Sequence, residues 1–182
     1  MIPSWSNDPK IGYKLSNARA ETVASKPSFR AAFKQRRCLV PVSAFYEWQQ
    51  GPGKRKQPYC IQMREEGLFA IAGLWERWHD PSGPIVESCS LITTEANELM
   101  RPIHDRMPVI LDPEREKEWL DPRSTPNSLG ALLVSFAADR MEAFPVNPYV
   151  SNAKNEGARC KDLTQRSKNQ PEKRLKSSGS VR

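Results

Sequence analysis

Histidine is nearly missing from this chain of 182 residues: there are two, His79 and His104. Glycine is outnumbered by proline, 9 to 16, which favours turns and short elements over long helices. The four cysteines, Cys38, Cys60, Cys89 and Cys160, include no Cys-x-x-Cys pair and no Cys/His cluster. That argues against a structural zinc site, and neither a metal nor a cofactor is expected. Cys38, Cys60 and Cys89 lie in strand-like contexts, where free cysteines act as small buried hydrophobes, and disulfides are not expected in a reducing compartment. No run of about 18 apolar residues is present to span a membrane. The opening "MIPSWSNDPK" has no basic region followed by an apolar stretch, so it is not a secretory signal. The expected location is cytoplasmic, at the nucleoid when bound to DNA. Internal repeats, a Gly-rich phosphate loop, a GxSxG elbow and an HExxH pair are all absent.

What is present suggests one domain with one lean core, at 38% hydrophobic residues. The charge is uneven. Residues 165–182 carry six Lys/Arg against one Glu, a net +5 of the chain's +7, so the remainder is nearly balanced at +2. That tail is poor in apolar residues and reads as disordered. It is either a solubilising tail or an electrostatic arm for nucleic acid.

Residues 1–24 read as irregular. Phe29 and Phe33 at i, i+4 behind Pro27 predict a short helix over about 27–36. "CLVPVSAFYEW", "PYCIQM", "LFAIAGLWERW", "ESCSLITT" and "RMPVIL" read as strands, the third buried on both sides. "EANELMR" reads as a short helix capped by Thr93 or Thr94. A second helix starts at Asp112-Pro113, a third covers "NSLGALL", and "EAFPVNPYV" is extended. The irregular mixture of hairpin-like strands and helices predicts an α+β fold with a curled, mostly antiparallel sheet and short flanking helices.

Three stretches set polar side chains against apolar surroundings: "SNARAET", "SAFYEWQ" and "ITTEAN…RPIHDRMPVIL". Glu47, between Tyr46 and Trp48, is a carboxylate that desolvation would bring toward neutrality, where it can give and take protons. It could equally be an exposed strand-end Glu. His104 could be a satisfied structural group, and Asn17 a turn former. Arg19 and Arg106 could each pair with a neighbouring carboxylate. Together Asn17, Glu47 and His104 could position a reactant, relay protons and stabilise a transient charge. The set has no nucleophile.

"NARAET", "RRCLVPVSAFYEWQ", "FAIAGLWERW", "SLITTEAN", "IHDRMPVIL" and "YVSNAKNEG", in this order and at similar spacing, resemble the SRAP family. These are the SOS-response-associated peptidases, also described as abasic-site processing proteins. The resemblance runs from about Ile2 to Asp162 and implies a barrel-like sheet. It also implies a sensor of abasic sites in single-stranded DNA that captures the ring-opened sugar on an N-terminal Cys. The captured sugar would be a Schiff base first and then a thiazolidine cross-link. Carried over, Asn17 would hold the sugar and the reactive terminus, Glu47 would shuttle protons, and His104 would stabilise or protonate the developing hydroxyl. Thr93 would support the site from behind. Arg19 and Arg106 would grip phosphates, and Trp48 would stack on or wedge beside a base. This sequence starts at "MIPSW", where the family has an upstream Met-Cys-Gly-Arg segment. The expectation is therefore an SRAP domain over 1–164 lacking its N-terminal segment, with a basic tail over 165–182. None of the four cysteines can stand in for a terminal one, so whether the chain as written is an enzyme stays open. The alternatives are a non-covalent single-stranded DNA-binding module or a self-processing peptidase.

Overall fold

The computed structural model describes residues 1–53, 56–65, 67–80 and 83–164. The expected basic tail, 165–182, lies outside the described residues. The chain is α+β, with mostly antiparallel sheets and short helices. Its contacts group it into two compact units. One holds Met1–Val42, Phe69–Glu95 and Met107–Phe136; the other holds, among the described residues, Ser43–Leu68, Ala96–Arg106 and 137–164.

In the first unit, Pro9–Lys14 form a 3-10 turn, entered through Asp8, whose side chain accepts the Lys10 N–H at 2.9 Å. Strand β1 (Asn17–Arg19) follows, then helix α1 (Arg30–Gln35) and β2 (Arg37–Val42). β1 corrects the expectation of an irregular start: it pairs in parallel with a strand far along the chain, which no local pattern announces. α1 is shorter at its N-terminus than expected, because the chain from Lys26 to Phe29 is taken up in turns. Phe29 and Phe33 are both buried.

"CLVPVSAFYEW" is not one strand. It breaks at Ser43–Ala44, and β3 (Phe45–Gln50) joins a different sheet from β2. After β4 (Lys56–Met63) come β5 (Phe69–His79) and β6 (Ile85–Glu95), an antiparallel pair. β5 is buried at every position from Phe69 to Leu74 and then alternates. The continuous stretch is the part with strands on both edges: β2 on one, and on the other β8 (Ile110–Leu111), which follows β7 (Arg106–Pro108).

β5 and β6 part beyond the Gly73–Leu91 pair, and residue 109 enters the gap. The Ala72 N–H donates to the Val109 carbonyl at 2.9 Å, and the Val109 N–H donates to the Ile92 carbonyl at 2.8 Å. This insertion explains why "RMPVIL" becomes two short strands: β7 pairs with β6 and β8 with β5. Val109 thus gives the Ala72 N–H and the Ile92 carbonyl partners where the two strands part, as burial requires.

Helix α2 (Pro113–Leu120) starts where expected, with Pro113 in the first turn, although Asp112 makes no side-chain capping bond. Helix α3 (Pro126–Ala131) is capped by Thr125, which accepts the Ser128 N–H at 3.2 Å. The core of this unit packs Phe33 of α1, Leu74 of β5, Ile92 of β6, Trp119 of α2 and Leu129 of α3. No described helix is long and apolar enough to cross a membrane.

The second unit is built on a three-stranded antiparallel sheet, β3–β4–β9, where β9 is Met141–Pro145. One face carries Cys60, Phe144 and Val146, with Tyr46 packed against them. Alternation puts Glu47, Tyr59, Ile61 and Ala143 on the other face. Residues 96–105 are turns, not the expected helix. The cap is also different. Asn97 Oδ1 accepts the Met100 N–H at 2.9 Å, whereas the Thr94 hydroxyl donates to the Leu133 carbonyl at 3.3 Å. Pro102 denies the run a helical continuation.

The cysteine expectation needs one correction. Cys60 is buried and Cys38 is half-buried, but Cys89 is exposed, on the outward side of β6. Cys160, which no strand pattern singled out, is buried.

Candidate functional site

The seven residues singled out by sequence fall into two groups, each inside one unit. Asn17, Arg19 and Thr93 belong to the first. Asn17 and Arg19 are exposed on β1, with Ala18 fully buried between them. A strand's two-residue period therefore sends both polar side chains to the same side. Thr93 lies opposite Arg19 in the parallel register. Its hydroxyl donates to the Ala18 carbonyl at 3.5 Å, and its carbonyl accepts the Ala20 N–H at 2.8 Å. Thr93 thus braces the strand that presents Asn17 and Arg19.

Glu47, Trp48, His104 and Arg106 belong to the second unit. Glu47 sits on β3 opposite Tyr59. Burial pushes its carboxyl above the ordinary carboxylate range. The charge of His104 draws it back, as do the Trp48 N–H and Lys56, while Asp105 adds to the rise. The sequence pattern anticipated the desolvation but attributed it to the wrong neighbours. Tyr46 and Trp48 are on the opposite face of β3; Tyr59 and the turns carrying His104 are on Glu47's own face. The Trp48 indole N–H donates to Ser151 Oγ at 2.9 Å, which fixes the ring on its own side of the sheet.

His104 is held by backbone bonds on both sides. Its N–H donates to the Met100 carbonyl at 2.9 Å, and its Nδ1 accepts the Arg106 N–H at 3.0 Å. Asp105 Oδ1 lies 3.2 Å from Nδ1, available as an ion-pair partner when the ring is protonated. Nδ1 also lies 3.2 Å from the Arg106 carbonyl, so this nitrogen is the one engaged by the local backbone, whichever tautomer the neutral ring adopts. The side chain is 42% exposed, so the ring is reachable from solvent.

Two residues that the sequence did not single out complete this group. The Gln49 amide donates to the Pro102 carbonyl at 2.8 Å, and its oxygen accepts the Tyr59 hydroxyl at 3.2 Å. Both share Glu47's face of the β3–β4 pair. The i, i+2 spacing of Glu47 and Gln49 was visible in "EWQ", but only the register identifies Tyr59. Among the described residues, no three His, Cys, Asp or Glu side chains converge as a metal site would require.

A carboxyl of raised pKa beside a partly exposed imidazole is an arrangement for moving protons at a bound reactant. Comparison with known proteins supplies the context. The family model "SOS response associated peptidase (SRAP)" matches residues 1–153. The abasic site processing protein YoqW of Bacillus subtilis is 51% identical over 156 residues, covering 85% of this chain and 70% of that protein. The abasic site processing protein HMCES of Xenopus tropicalis is 35% identical, over 88% of this chain and 54% of its own length. A solved structure of a protein from Bacteroides thetaiotaomicron superposes with a TM-score of 0.82 at 34% identity, covering 90% of this chain and 74% of that one. By sequence and by fold, this chain belongs to the SOS response associated peptidase (SRAP) family.

Proposed function

We propose that this protein processes abasic sites in DNA, preferentially in single strands, and that Glu47 and His104 move the protons at the damaged sugar. The observation that carries the reading is the pairing itself: Glu47 is held above the ordinary carboxylate range, with the His104 charge acting on it. The family membership and the names of the relatives give it its substrate.

An abasic deoxyribose is mostly a closed ring. Opening it breaks the C1′–O4′ bond, removes the proton from the C1′ hydroxyl and adds one to O4′. Glu47 as carboxylate accepts the first proton. His104 stabilises the developing O4′ hydroxyl by donating a hydrogen bond from its ring or, as the imidazolium, supplies the second proton and is left neutral. The exposed aldehyde is then open to capture. The capturing amine and thiol implied by the family resemblance belong to an N-terminal Cys that is not among these residues.

Asn17 would orient the sugar. Arg19 and Arg106 would pair with phosphates, and Trp48 would stack on a base from its own face of the sheet. Residues 1–164 would form the folded domain, with 165–182 a basic electrostatic arm. In the cell the protein would be cytoplasmic and associated with the nucleoid.

The test is a denaturing gel of the protein mixed with single-stranded DNA carrying one abasic site. A second version, extended upstream with Met-Cys-Gly-Arg and the family-like segment, runs beside it. A covalent shift in the extended version, slowed by Glu47→Gln or His104→Ala, supports the reading. Binding that is salt-sensitive and never covalent in either version would favour a non-covalent DNA-binding module instead.

A further inference from the structure

We propose that Gln49 is a positioning residue for the Glu47–His104 pair, its side-chain amide pinning the turn that carries His104 to strand β3. The inference rests on the reading of Glu47 and His104 as a proton-transfer pair, but its physical core can be tested without any reaction.

The turn segment 96–105 packs inward through Leu99, Met100 and Ile103, all buried. Its internal bonds are local: Met100 N–H to Asn97 Oδ1, His104 N–H to the Met100 carbonyl, and Ala96 N–H to the Asp105 carbonyl at 3.0 Å. These shape the turns, and the buried apolar side chains hold them down. Side-chain hydrogen bonds add direction, two of them from Asn97 and Gln49. Asn97 Nδ2 points at Met141 Sδ, 3.4 Å away on β9. Sulfur is a weak acceptor, so this tie is soft. The other is the Gln49 amide on the Pro102 carbonyl at 2.8 Å, two residues before His104.

Gln49 is itself oriented. Its oxygen accepts the Tyr59 hydroxyl at 3.2 Å. The Pro102 carbonyl can only accept, so it fixes the NH2 end of the amide toward itself, and the Tyr59 hydroxyl holds the oxygen end. Tyr59 is opposite Glu47 in the β3–β4 register, and Gln49 is two residues from Glu47 on the same face. The relay Tyr59–Gln49–Pro102 therefore ties the His104 turn to the strand that bears Glu47. A small displacement of one reacting group can lower a rate steeply, since catalysis depends on prepaid orientation.

The substitution that isolates the role is Gln49→Met, which keeps length and volume but removes both hydrogen bonds. The activity-independent readout is a carbon-detected NMR titration of the Glu47 carboxyl. The His104 charge lowers the Glu47 pKa in the native protein. If Gln49 holds His104 in place, the Glu47 midpoint moves upward in Gln49→Met. Tyr59→Phe, which removes the partner of the amide oxygen but leaves the bond to Pro102, moves it by less. Thermal unfolding of each variant establishes that it is folded. In the cross-linking assay with the extended version, Gln49→Met slows the reaction about ten- to a hundred-fold, with DNA affinity unchanged.

An unchanged Glu47 midpoint in a folded Gln49→Met protein overturns the proposal, whatever the reaction does. A shifted midpoint in a protein that processes no abasic DNA in any version leaves Gln49 as a positioning residue and removes the proposed function.

Discussion

The Arg106 backbone N–H donates to Nδ1 of His104 at 3.0 Å, and the Arg106 carbonyl lies 3.2 Å from the same nitrogen, so Nδ1 is the ring atom that the local backbone engages. Which nitrogen meets the substrate can be read by substitution. Asn places its amide where Nδ1 was, and Gln reaches the position of Nε2. His104→Asn keeps an acceptor for the Arg106 N–H and should therefore keep its melting temperature, yet lose about a hundred-fold in processing rate, the usual scale for one proton-transfer group. His104→Gln should retain more activity than His104→Asn. Single-turnover rates on a single-stranded abasic oligonucleotide decide it, and the reverse order would assign the working nitrogen to Nδ1.

The raised pKa of Glu47 links the site to stability. Burial is its largest cause. An acid whose pKa is higher folded than unfolded holds its proton more tightly in the native state. Its contribution to stability is present below the unfolded value, about 4.3, and is lost as the pH rises through the folded value. Glu47→Gln removes this titration. The variant should gain on the wild type as the pH rises from about 4 to about 7, with the gap closing again in acid. Melting curves of the two proteins across that range are the check. A wild type that is the more stable at neutral pH would mean that hydrogen bonds to the carboxylate outweigh its desolvation.

Local pattern made most of the strands legible and hid their partners. The all-buried first half of β5 shows as a continuous apolar run because it has strands on both edges. β1 is three residues long and pairs in parallel across more than seventy residues of sequence, so nothing in "SNARAET" signals a strand. "CLVPVSAFYEW" reads as one strand because its residues suit a sheet throughout, and the break at Ser43–Ala44 is decided by which sheet each half joins. The site was legible as chemistry, in that Glu47 and His104 stand out by residue type. What the sequence withheld was the face. The aromatic neighbours of Glu47 along the chain are on the other side of β3, and its real surroundings come from Tyr59 and a turn more than fifty residues away.

Arg37 is a structural cation whose loss should be severe. Its guanidinium donates to the carbonyls of Trp119 at 2.6 Å, Phe33 at 2.9 Å, Lys34 at 2.8 Å and Asp121 at 2.7 Å, joining the ends of α1 and α2. It also lies 5.8 Å from the centre of the Trp119 ring. Helix C-terminal carbonyls lack intrahelical partners, and a charged donor satisfies several of them at once. Arg37→Ala leaves them buried and should destabilise by about 3 kcal/mol. Arg37→Lys keeps the charge without the fork and should recover only a minor part. Urea denaturation midpoints measure both, and a fully recovered Lys variant would mean that charge alone suffices.

Gly73 and Cys38 face each other across β5 and β2, and the glycine is what lets them lie so close. A Cβ at position 73 would be 2.9 Å from Cys38 Sγ and 3.1 Å from Val40 Cγ2. Burial pushes the Cys38 thiol up to about 11, so at neutral pH it is an uncharged packing group. Gly73→Ala should therefore overpack the sheet and destabilise it by about 1–3 kcal/mol. Removing the sulfur relieves the nearer clash and leaves the Val40 contact. The double variant Gly73→Ala/Cys38→Ala should accordingly be more stable than the sum of the two single changes allows, a coupling of about 1 kcal/mol. Urea unfolding of the four proteins closes the cycle. Strict additivity would mean that β2 yields by moving its backbone, and that the tightness at Gly73 is not set by the Cys38 side chain.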